Sequence, residues 1–424
     1  MRIALTTFGC KINQFETDAL SNEFKAAGND IVAFKDEADI YVINTCTITA
    51  KTDYQCRQAI KNAIRRNAKA KVVVTGCYAE TRPEELKKIE GVDQVIGNKD
   101  KASLVHHILS VYKKSNSDPS LIPNFSVNTV RSRTRGLLKI QDGCNSRCSY
   151  CIVPFARGES RSIALQDVLT EFDKLVQNGN QEIVLTGIHI GMYGKDLTPK
   201  MELTDLLKLL QTRRGNARIR LSSIEPGEVT KELIGLLGNG FCRHLHIPLQ
   251  SGDDSILQAM KRGYTAAFYC DLINGIANHV PGIALGADVM VGFPGEGEKE
   301  FKNTVNLIKE LPITHLHVFS YSKRPGTLAA EMKNQITERI KKERNEILRN
   351  LGYQKNLAFR KIQQGNTLKI VVEDKVDRHT GLFTGLSDNY LRIHVQEAKK
   401  NDIGNVISVQ FDKIEKFENF GEIM

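Results

Sequence analysis

Cys144, Cys148 and Cys151 crowd into one short stretch, QDGCNSRCSYC, at spacings of four and three. No other feature restricts the fold of this chain as tightly, because three thiols in so short a loop must share one neighbourhood. Thiolate is the soft ligand that iron–sulfur clusters use. Three ligands around a [4Fe–4S] core leave one iron open to a substrate or cofactor. Zinc is a competing reading, but a structural zinc site wants four protein ligands and the loop supplies no fourth. Structural cysteines are the third reading. Asp142, Asn145, Ser146 and Arg147 share the loop, and such residues are a poor match to a dry core.

The loop follows a strand candidate at 137–140, the first of a series. Further β-rich runs lie at 182–186, 218–222, 244–247, 286–291 and 315–319, mostly separated by helical patterns. Six strands in series, each leading into a polar or glycine-rich loop, predict a partial (β/α)6 barrel over 136–360. Its ligand site would lie at the carboxyl ends of the strands. Upstream, strands at 2–7, 39–44 and 71–75 alternate with helices from Asn13, Lys51 and near Pro83. That alternation predicts a parallel-sheet α/β domain over 1–115. Residues 116–135 are rich in Ser, Asn, Pro and Arg and read as a linker. A charged helix runs from Ile336 to about Gln363. Short alternating strands then follow at 368–372, 382–386, 390–395 and 406–411, and predict a small β-barrel over 361–424.

A second cysteine set is dispersed. Cys10, Cys46 and Cys77 are separated by 36 and 31 residues, close to the length of a βα unit. Each directly follows a predicted strand. The carboxyl ends of parallel strands share one sheet edge, so these three thiols are expected to converge. Coincidence among nine cysteines is the alternative. Cys56, Cys242 and Cys270 are assigned to packing.

The residues match a known family. The Cys-x3-Cys-x2-Cys spacing, with Tyr150 before its last cysteine, resembles the radical S-adenosylmethionine (SAM) superfamily. Together with FGCKINQFET, INTCT and TGCYAE, and a terminal β-domain like the RNA-binding TRAM domain, it is similar over essentially the whole chain to the methylthiotransferases. The resemblance implies two [4Fe–4S] clusters. Cys144, Cys148 and Cys151 would hold the one that binds SAM, and Cys10, Cys46 and Cys77 an auxiliary one. It implies cofactor contacts from Tyr150, Gly187, His189, Ser222, Glu225, Gln250, Asp288 and Val291, which sit in the cysteine loop or at the ends of barrel strands. His189 also reads as a satisfied histidine, and each strand-end motif also reads as a turn.

The segment CIVPFARGESRS, the Ser222–Pro226 motif SSIEP, and TGIH with its trailing Tyr193-Gly194 resemble the subgroup acting on threonylcarbamoyladenosine in tRNA. The implied reaction is radical methylthiolation of adenine C2 beside the anticodon. One SAM supplies methyl to a sulfide at the auxiliary cluster and another supplies the radical. Alternatives are an isopentenyladenosine substrate, an aspartate of a ribosomal protein, and a non-catalytic redox-sensing RNA-binding protein.

Charge bears on the partner. The chain carries 59 Lys and Arg against 49 Asp and Glu, a formal net charge of +10. Residues 1–135 and 136–363 each hold a surplus of six, whereas 364–424 has a deficit of two. Bulk attraction to the tRNA anticodon stem-loop must therefore come from the first two segments. One dense run, Arg57, Lys61, Arg65, Arg66, Lys69 and Lys71, reads equally as a solvated helix face and as a phosphate-facing surface. A second dense run spans 338–361. In the terminal domain Lys369, Arg378, His379, Tyr390 and Arg392 are candidates for a local RNA patch. No apolar run approaches the roughly 18 residues of a membrane span, and the N-terminus turns polar after five residues. A cytoplasmic, monomeric enzyme is expected, served by a reductant protein and by a sulfur donor that no motif specifies.

Overall fold

The computed structural model describes residues 1–112 and 134–424. The expected linker lies outside them apart from its last two positions. The described residues cluster into two compact units. One comprises residues up to 112, Asp142–Ser160 and Ser322–Ala330. The other comprises 134–141, Arg161–Tyr321 and Glu331–Met424.

The first unit is built on β1 (Arg2–Thr7), α1 (Lys11–Ala26), β2 (Asp30–Val32), β3 (Ile40–Thr45), α2 (Ala50–Arg66) and β4 (Lys71–Gly76). It continues through α3 (Cys77–Thr81), α4 (Pro83–Lys87), β5 (Gln94–Ile96) and α5 (Leu104–Tyr112). The strands form one parallel sheet in the order β2-β1-β3-β4-β5. β3 and β4 are unbroken apolar runs because the sheet is covered on both faces. Ile40, Val42 and Val73 pack with Leu20, Phe24 and Leu104. Their neighbours Tyr41, Ile43, Val72 and Val74 pack on the other side with Ile60 and Ala63 of α2. Thr49 caps α2, its Oγ1 accepting the Thr52 N–H at 3.2 Å, and Pro83 takes the first turn of α4. Sequence reading expects three strands here, and the structure has five. The edge strands DIV and QVI are three residues long, too short to display a period.

Further along the chain come β6 (Gly136–Lys139), β7 (Gln141–Asp142), α6 (Val153–Arg157) and β8 (Arg161–Ser162), with α6 belonging to the first unit. Then follow α7 (Leu165–Gln177), β9 (Glu182–Thr186), α8 (Leu203–Arg213), β10 (Arg218–Leu221), α9 (Lys231–Leu236) and β11 (His244–His246). After them come α10 (Asp254–Ala259), α11 (Ala266–His279), β12 (Ala284–Val291), α12 (Glu298–Glu310), β13 (His315–Ser320), α13 (Leu328–Glu331) and α14 (Glu338–Gln363).

In the second unit β6, β9 and β10 form one parallel sheet, and β11, β12 and β13 another. They are joined where Cys242 N donates to Ile219 O (2.8 Å) and Ile224 N to His246 O (3.0 Å). The six strands thus follow chain order in a parallel arc. Among the described residues β6 and β13 do not pair, so the barrel is open. Alternate residues sort by face. Ile183, Leu185, Ile219, Leu221, Leu245, Ala287, Val289 and Val291 enter the helix-packed core. The opposite face carries Glu182, Arg218, Arg220, His244, His246, Asp288, His315 and His317, a polar interior that period-two reading alone would not distinguish from solvent.

The C-terminal strands are β14 (Thr367–Val376), β15 (Phe383–Ser387), β16 (Arg392–Gln396), β17 (Val406–Glu415) and β18 (Glu418–Ile423). They close a barrel in the order β14-β15-β16-β18-β17. β18, ENFGEI, is a fifth strand beyond the four expected, because its charged and glycine residues hide the alternation. Fully buried Glu182 grips Arg218 and Arg220. Those arginines donate to Lys369 O, Leu386 O and Ser387 O at 2.6–2.8 Å. Tyr390 is half-buried and lines an open pocket together with Arg392. Its ring stacks on His244 at 4.1 Å and lies near Arg220. Arg392 pairs with Glu373.

Candidate metal centre

Cys10, Cys46 and Cys77 all lie at the carboxyl edge of the parallel sheet, just beyond β1, β3 and β4. Two glycines make that gathering possible. Gly9 has φ +96°, and a Cβ there would fall 2.6 Å from Cys46 Sγ. Gly76 has φ +100°, and its Cβ would fall 2.3 Å from Thr45 O. Only glycine accepts both the left-handed backbone and the close approach. Each is followed by a cysteine at a helix start: Cys10 precedes α1 and Cys77 opens α3.

The thiols lie close enough for Cys77 to oppose ionisation of both Cys46 and Cys10. Burial pushes the Cys46 thiol up to about 12, and Cys77, Cys10 and Cys56 add to the rise. Cys10 reaches solvent at its edge, yet the protein packed around it raises its thiol, with Cys77 adding to the effect. Arg157 and the Asn13 and Ile12 N–H groups pull Cys10 the other way. A mutually repelling set of sulfurs needs cationic compensation, and a ligated iron core provides it. Among the described residues no three His, Cys, Asp or Glu side chains are grouped to chelate a single ion. An all-sulfur donor set is the one that iron–sulfur clusters use.

Beneath the thiols lies a buried polar network that sequence reading missed. Arg157 donates to Glu16 (2.8 Å), Asn13 Oδ1 (2.5 Å) and Asp142 (3.1 Å). Lys101 joins Glu16 (2.6 Å) to Asn44 Oδ1 (3.2 Å). Asn13 Nδ2 donates to Phe8 O (2.8 Å) and Thr45 O (3.0 Å), fastening the segments before Cys10 and Cys46. Asn98 Nδ2 reaches both Cys77 Sγ (3.6 Å) and Ala156 O (2.7 Å). A signal existed for part of this. Asn13, Glu16 and Thr17 lie on the buried stripe of α1 with Ile12, Phe15 and Leu20, an unusual place for polar residues. Lys101 gave none.

The loop of Cys144, Cys148 and Cys151 lies in this same unit, with all three thiols half-buried. Its turn is held by Cys144 N to Gly158 O (3.1 Å) and Cys151 N to Cys148 O (3.0 Å). The Ser146 N–H points to Cys144 Sγ at 3.5 Å. Tyr150 is half-buried within the loop.

The other cofactor candidates belong to the second unit. Gly187 packs so that a Cβ would meet Ile190 at 2.9 Å and Gln141 Oε1 at 3.0 Å. His189 is buried with its Nε2 2.6 Å from Glu228 Oε1. Glu225 pairs with Arg262. Asp288 lies 3.0 Å from both His246 Nε2 and His317 Nδ1. Burial works against its charge, but those two histidines outweigh it and hold the carboxyl well below its ordinary range. Ser222 Oγ and Gln250 Oε1 are buried with no hydrogen-bond partner among the described residues. They are acceptors and donors available to a polar ligand. Val291 sits in the helix-facing core, so its side chain is committed to packing.

Of the basic residues on α2 and beyond, Arg57 pairs with Glu85, Arg66 donates to Phe34 O and Lys71 pairs with Asp93. Lys61, Arg65 and Lys69 are exposed. In the second run Lys341, Arg344 and Arg360 are buried in structural contacts.

Residues 2–97 match the family described as uncharacterized protein family UPF0004, and residues 138–308 match the radical SAM superfamily. The chain is 41% identical to the threonylcarbamoyladenosine tRNA methylthiotransferase MtaB of Bacillus subtilis, over 97% of this chain and 94% of that one. It is 39% identical to the protein of the same name from Aquifex aeolicus, over 96% and 100%. A tRNA-2-methylthio-N(6)-dimethylallyladenosine synthase from Clostridium botulinum is 30% identical over 99% and 96%. Among solved structures, the radical S-adenosylmethionine methyltransferase TsrM from Kitasatospora setae aligns with a TM-score of 0.59 at 17% identity, over 78% of this chain and 77% of that one. That likeness bears on fold.

Proposed function

The chain belongs to the methylthiotransferase family of radical SAM proteins, and from that premise we propose that it methylthiolates C2 of N6-threonylcarbamoyladenosine beside the anticodon of tRNA. The observation that carries the reading is the gathering of Cys10, Cys46 and Cys77 in one compact unit with the Cys144, Cys148 and Cys151 loop. Relatives named for the threonylcarbamoyl substrate match at 30–41% identity and those named for the dimethylallyl substrate at 30%, so the higher matches favour the former.

Cys144, Cys148 and Cys151 would hold the SAM-binding [4Fe–4S] cluster, and Cys10, Cys46 and Cys77 a second. When bound, these groups supply radical activation of an unreactive C–H bond and a sulfur atom. The chain's own residues provide the setting. Arg157 favours thiolate at Cys10, and Asn13 and Asn98 anchor the thiol-bearing segments. In the second unit the unpartnered Ser222 Oγ and Gln250 Oε1 suit a polar ligand. An anticodon-loop base is already unpaired, so splaying it toward the site costs little. Exposed Lys61, Arg65 and Lys69 suit flanking phosphates, so tRNA affinity should fall steeply with salt, and each of these residues removed should flatten the slope by about one.

No helix among the described residues is long and apolar enough to cross a membrane. A cytoplasmic monomer served by a reductant protein and a separate sulfur source completes the proposal. The test is mass spectrometry of nucleosides from cells with and without the gene. Loss of 2-methylthio-threonylcarbamoyladenosine is expected, and its persistence would refute the substrate assignment. Anaerobic assay on ribosomal protein and tRNA in parallel, with 5′-deoxyadenosine measured, tests the protein-substrate and redox-sensor alternatives.

A further inference from the structure

A cavity of about 250 Å3 in the first unit is lined by Thr47, Thr81, Arg82, Ile152, Phe155 and Arg324, with Glu80 at its wall. It borders both cysteine sets. Thr47 follows Cys46, Ile152 follows Cys151, and Thr81 Oγ1 donates to Cys77 O at 2.9 Å. Pockets for drug-sized ligands run to roughly 300–1,000 Å3, so this space suits a small substituent rather than a whole nucleoside.

Its charge is cationic. Arg82 and Arg324 both pair with one buried carboxylate, Asp53, which also accepts from Thr47 Oγ1 at 2.7 Å. Arg82 shares Glu85 with Arg57. Three guanidinium groups thus face two carboxylates. Glu80 accepts the Asn98 N–H at 2.7 Å and lies 3.9 Å from Lys99, so adding this pair leaves four cations against three carboxylates. Arg324 uses Nε on Lys323 O and Nη1 on Asp53 and Thr47 O. Its Nη2 has no acceptor among the described residues. The remaining wall, Ile152 and Phe155, is apolar.

We infer that this cavity reads the free carboxylate of an adenosine N6 substituent, with Arg82 and Arg324 as the specificity-determining pair. The inference rests on the proposed threonylcarbamoyl substrate and deepens it. That substituent carries a carboxylate beside a hydroxyl and a methyl group, matching two guanidinium groups, two threonine hydroxyls and an apolar wall. An isopentenyl group would leave the surplus cation without its anion, and sites built for a polar group reject analogues lacking it.

The test uses the holoenzyme and three anticodon stem-loops bearing threonylcarbamoyl, its carboxamide, or isopentenyl on the same adenosine. The wild type should bind the carboxylate loop at least about tenfold more tightly than the carboxamide loop, as expected for one charge-assisted hydrogen bond. The difference should appear in KM more than in kcat. Arg82→Gln should close that gap, and Arg82→Lys should keep part of it. A merely structural role would instead weaken binding of both loops together. Equal affinity of the wild type for carboxylate and carboxamide overturns this inference alone, and needs no variant to fold. Preference of the wild type for methylthiolating the isopentenyl loop overturns the proposed substrate as well.

Discussion

Replacing Gly76 with alanine, beside Gly28→Ala as a control, separates two demands on a glycine. Both have positive φ, +100° and +73°. Gly28 follows α1, and a Cβ there meets nothing within 4 Å. Alanine at Gly28 therefore bears only the left-handed backbone cost, about 1–2 kcal/mol. At Gly76 the new methyl would also fall 2.3 Å from Thr45 O and 2.6 Å from Thr45 N. Those atoms belong to β3, which pairs with β4 in register through Thr45 and Gly76. Backbone cannot rotate away as a flexible side chain does, so an overpacking cost of about 1–3 kcal/mol adds. The expected sum is about 2–5 kcal/mol. Native-state hydrogen exchange at Val42 and Val73 reads the opening free energy of this sheet without assuming that the whole chain unfolds in one step. Because Cys77 follows directly, iron incorporated on reconstitution should fall in Gly76→Ala and hold in Gly28→Ala. If the two variants lose equal stability and equal iron, the close-approach argument is wrong.

Three further outcomes follow from the same geometry. Arg157→Met should cost about 1–3 kcal/mol in the first unit, because Glu16 keeps Lys101 while part-buried Asp142 and buried Asn13 Oδ1 lose their donor; no measurable change in hydrogen exchange would count against the network. The second unit should be acid-labile in two stages. His315 is held down at about 4, mainly by burial, with His246 and Arg220 adding. Its ordinary value is near 6.5, so its stabilising share is present above that and is lost as pH falls toward 4, about 3 kcal/mol in all. Burial opposes the charge of Glu182, but Arg220, then Arg218 and Arg135, outweigh it and hold the carboxyl at about 2. Its share is intact above the ordinary glutamate range and is lost as pH falls toward 2. Denaturant midpoints between pH 7 and 3 would show this, and His315→Gln should remove the upper stage; a midpoint unchanged from pH 7 to 5 in the wild type would contradict it. Separately, Cys46→Ser should lower bound iron by one cluster while leaving SAM cleavage measurable, whereas Cys148→Ser should abolish cleavage; loss of both functions in Cys46→Ser would contradict two independent clusters.

What could be read from the chain was whatever recurs along it or is local to it. The apolar runs of β3 and β4, the six strands of the arc and the tight cysteine loop are patterns over a few neighbouring residues, and the hydrophobic period exposes them. The placement of Cys10, Cys46 and Cys77 at one sheet edge was also legible, because parallel strands share their carboxyl edge whatever their side chains. Three-residue edge strands and the charged β18 were not, since a period cannot show in so few or so mixed residues. Nor was the polar network. Arg157 meets Glu16 across 141 positions, and Asp53 meets Arg324 across 271. The sequence determines that such residues exist. Only packing decides which charges are buried together, because the cost of desolvating each is met solely by the partner that tertiary structure brings within a few ångströms.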